Sequence, residues 1–421
     1  MVRQAIKKHH FLTPLEKNAY LCSNARMRMR IYTRIIMKRT STIGFNVRHA
    51  IEDDSALSSY SQYIIDAMSL ACPRRAYFRL YADRESTNKS YGTLVERHNV
   101  EAMLPDGRVW RKMPWLWRQY PIDNDLRRGD VELYHSLDDT LPYGLSRHNI
   151  RSIVTVHTLD YLSTRMLQNP IKSAYRRIMT HSSLRRADRI ITLSEGLKHD
   201  IVEMFGIDSD KIDVIYRGCE SIYGEAPDAE LLRETKEKYD LPERYILTCG
   251  TQHQRKNTAV ILEALTLTND DLHLVILSEH TPYTARLQQR AKELGITPRL
   301  HIVEPSTLEE RVALYHLAEV YVHMSLYEGF ATSIVEALTV GIPVIAARGT
   351  THEEAGGPHS TYIDSDDANS LAEAIEQLNS DSALREQSIT QGRSYATRFR
   401  PEVAAYNILN CYRRINVDID E

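Results

Sequence analysis

Val320-Tyr-Val-His-Met-Ser-Leu-Tyr-Glu-Gly-Phe-Ala-Thr-Ser-Ile-Val-Glu-Ala-Leu-Thr-Val-Gly-Ile-Pro-Val-Ile345 reads as strand, loop, helix and strand again. Val320 to His323 is a short β-branched run that predicts a strand, Thr332 to Leu338 predicts a helix, and Pro343 to Ala346 predicts the next strand. Strands that alternate with helices imply a parallel sheet, and such sheets bind ligands beyond the carboxyl ends of their strands. Glu328 stands in the loop at such an end, where Gly329 allows a tight turn. Glu336 interrupts the apolar run Ile334, Val335, Ala337, Leu338, and a carboxylate there is costly unless it is bonded. Two carboxylates at adjacent cleft positions suit the hydroxyls of a sugar and a ribose. The plainer alternative, with Glu336 facing solvent and Glu328 merely capping the helix, stands level on these residues alone.

Working outward, the same alternation fills the second half. Strands are expected at Tyr245 to Cys249, Leu272 to Leu277 and Leu300 to Val303, and helices at Ala259 to Leu265, Thr284 to Glu293 and Glu309 to Ala318, with a last helix from Pro401 to Ile415. The first half repeats the theme. Strands are expected at Ile43 to Val47, Arg75 to Tyr81, Val131 to Tyr134, Ser152 to Val156, Arg189 to Leu193 and Lys211 to Ile215, and a helix from Ser58 to Ser69. Between Gly218 and Pro242, charge and weak periodicity predict an interdomain linker. The expected division is a basic extension over 1–40, an acceptor-binding domain over 41–220, a linker over 221–243, a donor-binding domain over 244–398 and a C-terminal helix over 399–421.

A chain of 421 residues exceeds what one compact core needs, and its 42% hydrophobic and 26% charged residues are ordinary for a folded globular protein. Five scattered cysteines without a C-x-x-C pair argue against a zinc or redox centre and for reduced, cytoplasmic thiols. No apolar run is long enough to span a bilayer, and the start lacks a signal-peptide core. Ten bases against the single acid Glu16 mark the first forty residues, where peripheral membrane contact competes with an over-long translation start. Trp110, Trp115 and Trp117 interleave with Arg108, Arg111, Lys112 and Arg118. That pattern can bind single-stranded nucleic acid, but helix core is the commoner fate of such tryptophans, and no nucleic acid is expected.

Gly250 ends a strand, and Thr251-Gln-His-Gln-Arg-Lys-Asn257 leads from it into a helix. A glycine, a helix start and the cations Arg255 and Lys256 together make a plausible diphosphate cradle, although Arg-Lys alone is more often a solvated pair. His135 and His157 each follow a strand end of the first half.

These residues, in this order, resemble the retaining GT-B glycosyltransferases of glycosyltransferase family 4. The strongest match is Glu328 and Glu336, with seven residues between them, within Glu-Gly-Phe-Ala-Thr-Ser-Ile-Val-Glu-Ala. Gly250 with Arg255-Lys256-Asn257, Ala187-Asp-Arg-Ile-Ile-Thr-Leu-Ser-Glu195, Ile215-Tyr-Arg-Gly218, Gly341-Ile-Pro-Val344 and Glu354-Ala-Gly356 support it. The resemblance implies an α/β, GT-B architecture: two Rossmann-like, doubly wound domains facing across a cleft, with the C-terminal helix returning to the first. It implies that Gly250, Arg255, Lys256, Glu328, Gly329, Phe330, Ala331, Thr332 and Glu336 bind a nucleotide-sugar donor. Of these, Arg255 and Lys256 would meet the diphosphate, Glu328 the sugar hydroxyls and Glu336 the ribose. His157 matches the histidine beside the reacting sugar, with His135 as the less favoured alternative, and Ser58, Tyr60 and His135 fall on the acceptor side.

The implied reaction moves a hexose to a saccharide or lipid-linked acceptor in polysaccharide biosynthesis, with retention, no cofactor and no metal. Asp364-Ser-Asp366 has the spacing of a metal motif, but the resemblance puts that loop away from the donor. Two departures stand out. Ser55-Ala-Leu-Ser-Ser-Tyr60 lacks the usual Gly-x-Gly, and Ala331 replaces a frequent glycine. They bear on the acceptor side and leave open a catalytically inactive protein that binds sugar nucleotides or a partner.

Overall fold

The computed structural model describes residues 41–51, 56–162, 170–417 and 419. The basic segment 1–40, the loop residues Asp53 and Asp54, and Ser55 lie outside them. The first half forms a seven-stranded sheet of β1 (Ser41–Asn46), β2 (Ala76–Tyr81), β3 (Val100–Met103), β4 (Leu133–Ser136), β5 (Arg151–Val156), β6 (Arg189–Thr192) and β7 (Ile212–Val214). Its order is β3-β2-β1-β4-β5-β6-β7, with every pairing parallel. The second half forms a six-stranded sheet of β8 (Arg244–Cys249), β9 (Leu272–Leu277), β10 (Leu300–Val303), β11 (Val320–His323), β12 (Val344–Ala347) and β13 (Thr361–Ile363). Its order is β10-β9-β8-β11-β12-β13, again all parallel. Helices cover both faces, so the central strands β4 and β11 are buried at every position.

Each sheet reverses its winding once, at β1 and β4 in the first and at β8 and β11 in the second. Loops diverge at such a point and leave a crevice beyond the strand ends. The β8 loop carries Arg255 and Lys256 and the β11 loop carries Glu328, so topology brings together residues some seventy positions apart.

The edge strands β3 and β13 escape a reading by apolar runs, because they are four and three residues long and only partly buried. The stretch expected as the linker spans 221–243. It contains the helix Ala229–Lys238, capped by the side chain of Asp228. Lys238 Nζ and Tyr239 OH each lie 2.5 Å from a carboxylate oxygen of Glu310, which fastens the segment to the second half. Among that helix's residues only Thr235 is buried, hence the weak apolar periodicity. Of the tryptophans, Trp117 is wholly buried and donates from Nε1 to Asp125 at 2.7 Å, whereas Trp115 is exposed. The four described cysteines are buried free thiols. Among the described residues no helix is long and apolar enough to cross a membrane.

The C-terminal helix, Pro401–Arg413, returns to the first half and packs on the helix Ala56–Ala71. Its anchor is Tyr412, whose hydroxyl lies 2.7 Å from His135 Nδ1, while Nε2 of the same ring lies 2.9 Å from Thr155 Oγ1. Burial, with a contribution from His157, lowers the His135 pKa to about 3, so the ring is neutral. Tyr412→Phe strands one buried ring nitrogen and is expected to destabilise the protein by about 1–3 kcal/mol in a urea melt.

Candidate active site

The β8 loop is folded by its own polar groups. The His253 side chain accepts from the Arg255 amide at the start of the turn Gln254–Lys256, and Asn257 closes the turn in the left-handed region at φ 55°. Asn257 Nδ2 donates to the Ser365 carbonyl at 2.6 Å. The Asp364–Asp366 loop is therefore joined to the cationic turn, while Asp364 itself faces solvent. Gly250 adopts φ 109°. A Cβ there would lie 3.0 Å from Lys256 Nζ, so the missing side chain makes room for the ammonium.

Two bonds then bind the β8 and β11 loops together. The Leu326 amide donates to the Arg255 carbonyl at 2.9 Å, and Arg255 Nη1 donates to the Tyr327 carbonyl at 2.9 Å. Glu328 follows directly, and its Oε1 receives Arg255 Nη1 at 2.6 Å and Lys256 Nζ at 2.8 Å, with His323 Nε2 at 3.7 Å. The site is largely shielded from solvent. Burial alone would raise the Glu328 pKa, but Lys256 and then Arg255 outweigh it and hold the carboxyl well below its ordinary range. His323 is driven down by burial and then by Lys256, so it adds no charge at neutral pH. Two cations against one anion leave the pocket one positive charge in excess, which favours an anionic ligand. Among the described residues no group of three His, Cys, Asp or Glu could hold a metal ion.

Glu336 is buried on the helix Thr332–Val340 and bonded, not facing solvent. Its Oε2 receives Arg311 Nη2 at 3.0 Å and the Tyr315 hydroxyl at 2.8 Å, and the same Arg311 nitrogen lies 3.2 Å from Cys249 Sγ. Sequence reasoning missed both partners. Their signal was a base and a phenol one turn apart on the helix Leu308–His316. His323, directly on the β11 strand end, was missed as well.

The remaining residues expected on the donor side divide. Phe330 is buried in an aromatic cluster, its ring 5.5 Å from Tyr216 and 5.6 Å from Phe399, and Ala331 is buried beside it. Thr332 opens its helix, whose first turn has no side-chain cap. At Gly329 the backbones of the two halves come close together. A Cβ there would lie 1.7 Å from the His157 carbonyl oxygen, a contact no backbone tolerates.

His157 stands at the end of β5, with Nε2 2.9 Å from the Leu137 carbonyl. A carbonyl only accepts, so Nε2 carries the proton and Nδ1 is the basic nitrogen. Burial lowers the ring's pKa to about 4, against an opposing push from the Leu137 bond. Its resonance is expected to titrate near pH 4 in an NMR series, identified by its loss in His157→Asn. The unfolded ring binds a proton below its ordinary value of 6.5 while the folded ring does not. This group's contribution to stability is therefore intact above about pH 6.5 and is lost as pH falls towards 4.

The structure does not present the expected acceptor residues to the cleft. Ser58, Tyr60 and His135 are all buried: Tyr60 packs edge-on to His157 with centroids 4.4 Å apart, and His135 is occupied with Tyr412 and Thr155. Strand-end position marked His135, which the returning C-terminal helix covers through Tyr412, and the resemblance marked Ser58 and Tyr60, which lie on the buried face of the helix Ala56–Ala71.

Further bonds join the halves around this contact. Ser194 Oγ donates to the Gly329 carbonyl at 2.7 Å, and the Tyr327 hydroxyl donates to Asp200 at 3.0 Å. The Glu354 carboxylate accepts the amides of Glu195 and Gly196 at 2.7 and 2.8 Å, the first turn of the helix Glu195–Phe205.

Comparison with known proteins gives two family matches. Residues 71–221 match the model described as Glycosyltransferase Family 4, and residues 232–395 match that described as Glycosyl transferases group 1. The chain is 27% identical over 311 residues to O-antigen chain mannosyltransferase B of Escherichia coli, covering 72% of this chain and 77% of that protein. It is 27% identical over 286 residues to D-inositol 3-phosphate glycosyltransferase of Corynebacterium urealyticum, covering 63% and 66%. Among solved structures, Anabaena HepE in complex with UDP and glucose superposes with a TM-score of 0.70 at 15% identity, covering 89% of this chain and all of that one. Sucrose-phosphate synthase of Thermosynechococcus elongatus superposes with a TM-score of 0.71 at 18% identity, covering 89% and 99%. At such identities the superpositions bear on the fold alone.

Proposed function

Because this chain belongs to the GT-B glycosyltransferases of family 4, we propose that it moves a hexose, with retention, from a nucleoside-diphosphate sugar to a saccharide or lipid-linked saccharide acceptor. The observation that carries the reading is the meeting of Arg255, Lys256 and Glu328 at the winding reversal of the second sheet, with His157 against Gly329 across the cleft. When the bond from the sugar's anomeric carbon to the phosphate oxygen breaks, negative charge gathers on the diphosphate, and two fixed cations stabilise it without reorganisation. The acceptor hydroxyl bonds to the same carbon from the leaving-group face, and its proton passes to the departing phosphate. Glu328 would hold hydroxyls of the transferred sugar and Glu336 the ribose. With the leaving group met by Arg255 and Lys256, the reaction is proposed to need no metal.

The names of the curated relatives support glycan assembly, with O-antigen mannosyltransferase among them, and HepE with UDP supports a nucleotide ligand. The test is a panel of uridine and guanosine diphosphate hexoses against oligosaccharide acceptors, read by mass spectrometry, with the product's anomeric configuration read by NMR. Inversion would overturn retention, and activity lost to a chelator and restored by a divalent cation would overturn metal independence. One observation favours a second reading, a sugar-nucleotide binder without transfer: the expected acceptor residues are all buried. Calorimetric binding of a nucleoside diphosphate, with no transfer across the whole panel, would decide for it.

A further inference from the structure

The helix Pro170–Arg186 carries Lys172, Arg176, Arg177, Arg185 and Arg186 and no acidic residue. Along it Ile171, Tyr175 and Ile178 are exposed to 81%, 63% and 67%, while Thr180, Ser183 and Leu184 are buried. Spacings of four and three set the three exposed side chains in one stripe. A single exposed apolar residue needs no explanation, but a stripe among bases does. Arg176 and Arg186 are engaged within the protein: Arg176 Nε lies 3.4 Å from Asp139, and Arg186 donates to the carbonyls of Leu141 and Pro142 at 2.8 and 2.6 Å. Arg177 and Arg185 are exposed.

A second exposed aromatic group adjoins the helix's far end. The Arg186 guanidinium lies 4.2 Å over the Tyr143 ring, which stacks at 5.4 Å on Tyr120. Tyr120 is exposed, as is Trp115 in the segment before it, after Arg111 and Lys112. The helix's near end lies towards the cleft. It follows β5, whose end bears His157, and Ser173 Oγ is bonded to the Tyr161 carbonyl between them.

We propose that this stripe docks on an anionic phospholipid surface, with Ile171, Tyr175 and Ile178 entering the headgroup boundary and Arg177 and Arg185 meeting lipid phosphates. Charge selects this occupant. A second copy of the helix would set five bases against five, and the chain's own first forty residues, ten bases to one acid, carry the same sign. Docking needs nothing from the transferase reading, and its readout needs no turnover.

The test is flotation of the full chain with phosphatidylcholine vesicles with and without phosphatidylglycerol. Binding is expected only to the anionic vesicles and is expected to weaken as salt rises. Serine at Ile171, Tyr175 and Ile178 together should reduce it roughly tenfold or more. Arg177→Glu with Arg185→Glu should reduce it by about as much. Unchanged melting and nucleoside diphosphate affinity show that each variant folds. The proposal is overturned by equal binding to neutral vesicles, by no binding to either kind, or by undiminished binding of the triple-serine variant, which would assign the anchor elsewhere in the chain.

Discussion

Lys256→Ala is expected to lower turnover by two to three orders of magnitude, about the effect of deleting one preorganised donor to a developing anion. The ammonium is shielded, 2.8 Å from Glu328, in a pocket where charge acts at low dielectric. The fold should survive, because Arg255 remains 2.6 Å from the same carboxylate oxygen and keeps it paired. Stripping a buried carboxylate of every partner would cost about 3–5 kcal/mol; losing one of two cations should cost well under that. Initial rates, calorimetry with the nucleoside diphosphate and circular dichroism separate the outcomes. A rate within threefold of the parent, with normal spectra, would remove Lys256 from the chemistry.

Gly329→Ala is expected to cost about a hundredfold in turnover, the scale on which a displacement near 1 Å acts on aligned reactants. The added methyl would lie 1.7 Å from the His157 carbonyl oxygen, and that atom is backbone, so no rotamer relieves the clash. The relief open to the molecule is to part the two halves. Melting temperature should change little, and donor affinity only severalfold, because Arg255, Lys256, Glu328 and Glu336 all lie in the second half. Small-angle scattering should show a larger radius of gyration than the parent's in the presence of nucleotide. Parental compaction together with parental turnover would refute the account.

Strand periodicity exposed most of the fold, because parallel strands buried on both faces are written as short continuous apolar runs. It failed where burial is partial, at β3, β13 and the Ala229–Lys238 helix. Within the site, strand-end position offered Arg255, Lys256, Glu328 and Glu336 as candidates and the family resemblance decided for them, and strand order brings the first three together. It could not reveal Arg311 and Tyr315, which matter through one helix face turned on Glu336. Nor could it tell a strand-end histidine facing a cleft from one beneath a helix arriving from the other end of the chain, the fate of His135.

Glu354 reaches from the second half to grip the Glu195 and Gly196 amides of the first. Whenever the halves part, those two donors turn to water and the start of the helix frays. Their exchange with deuterium thus becomes a clock for cleft opening, with protection that should lengthen as nucleotide binds and collapse in Gly329→Ala.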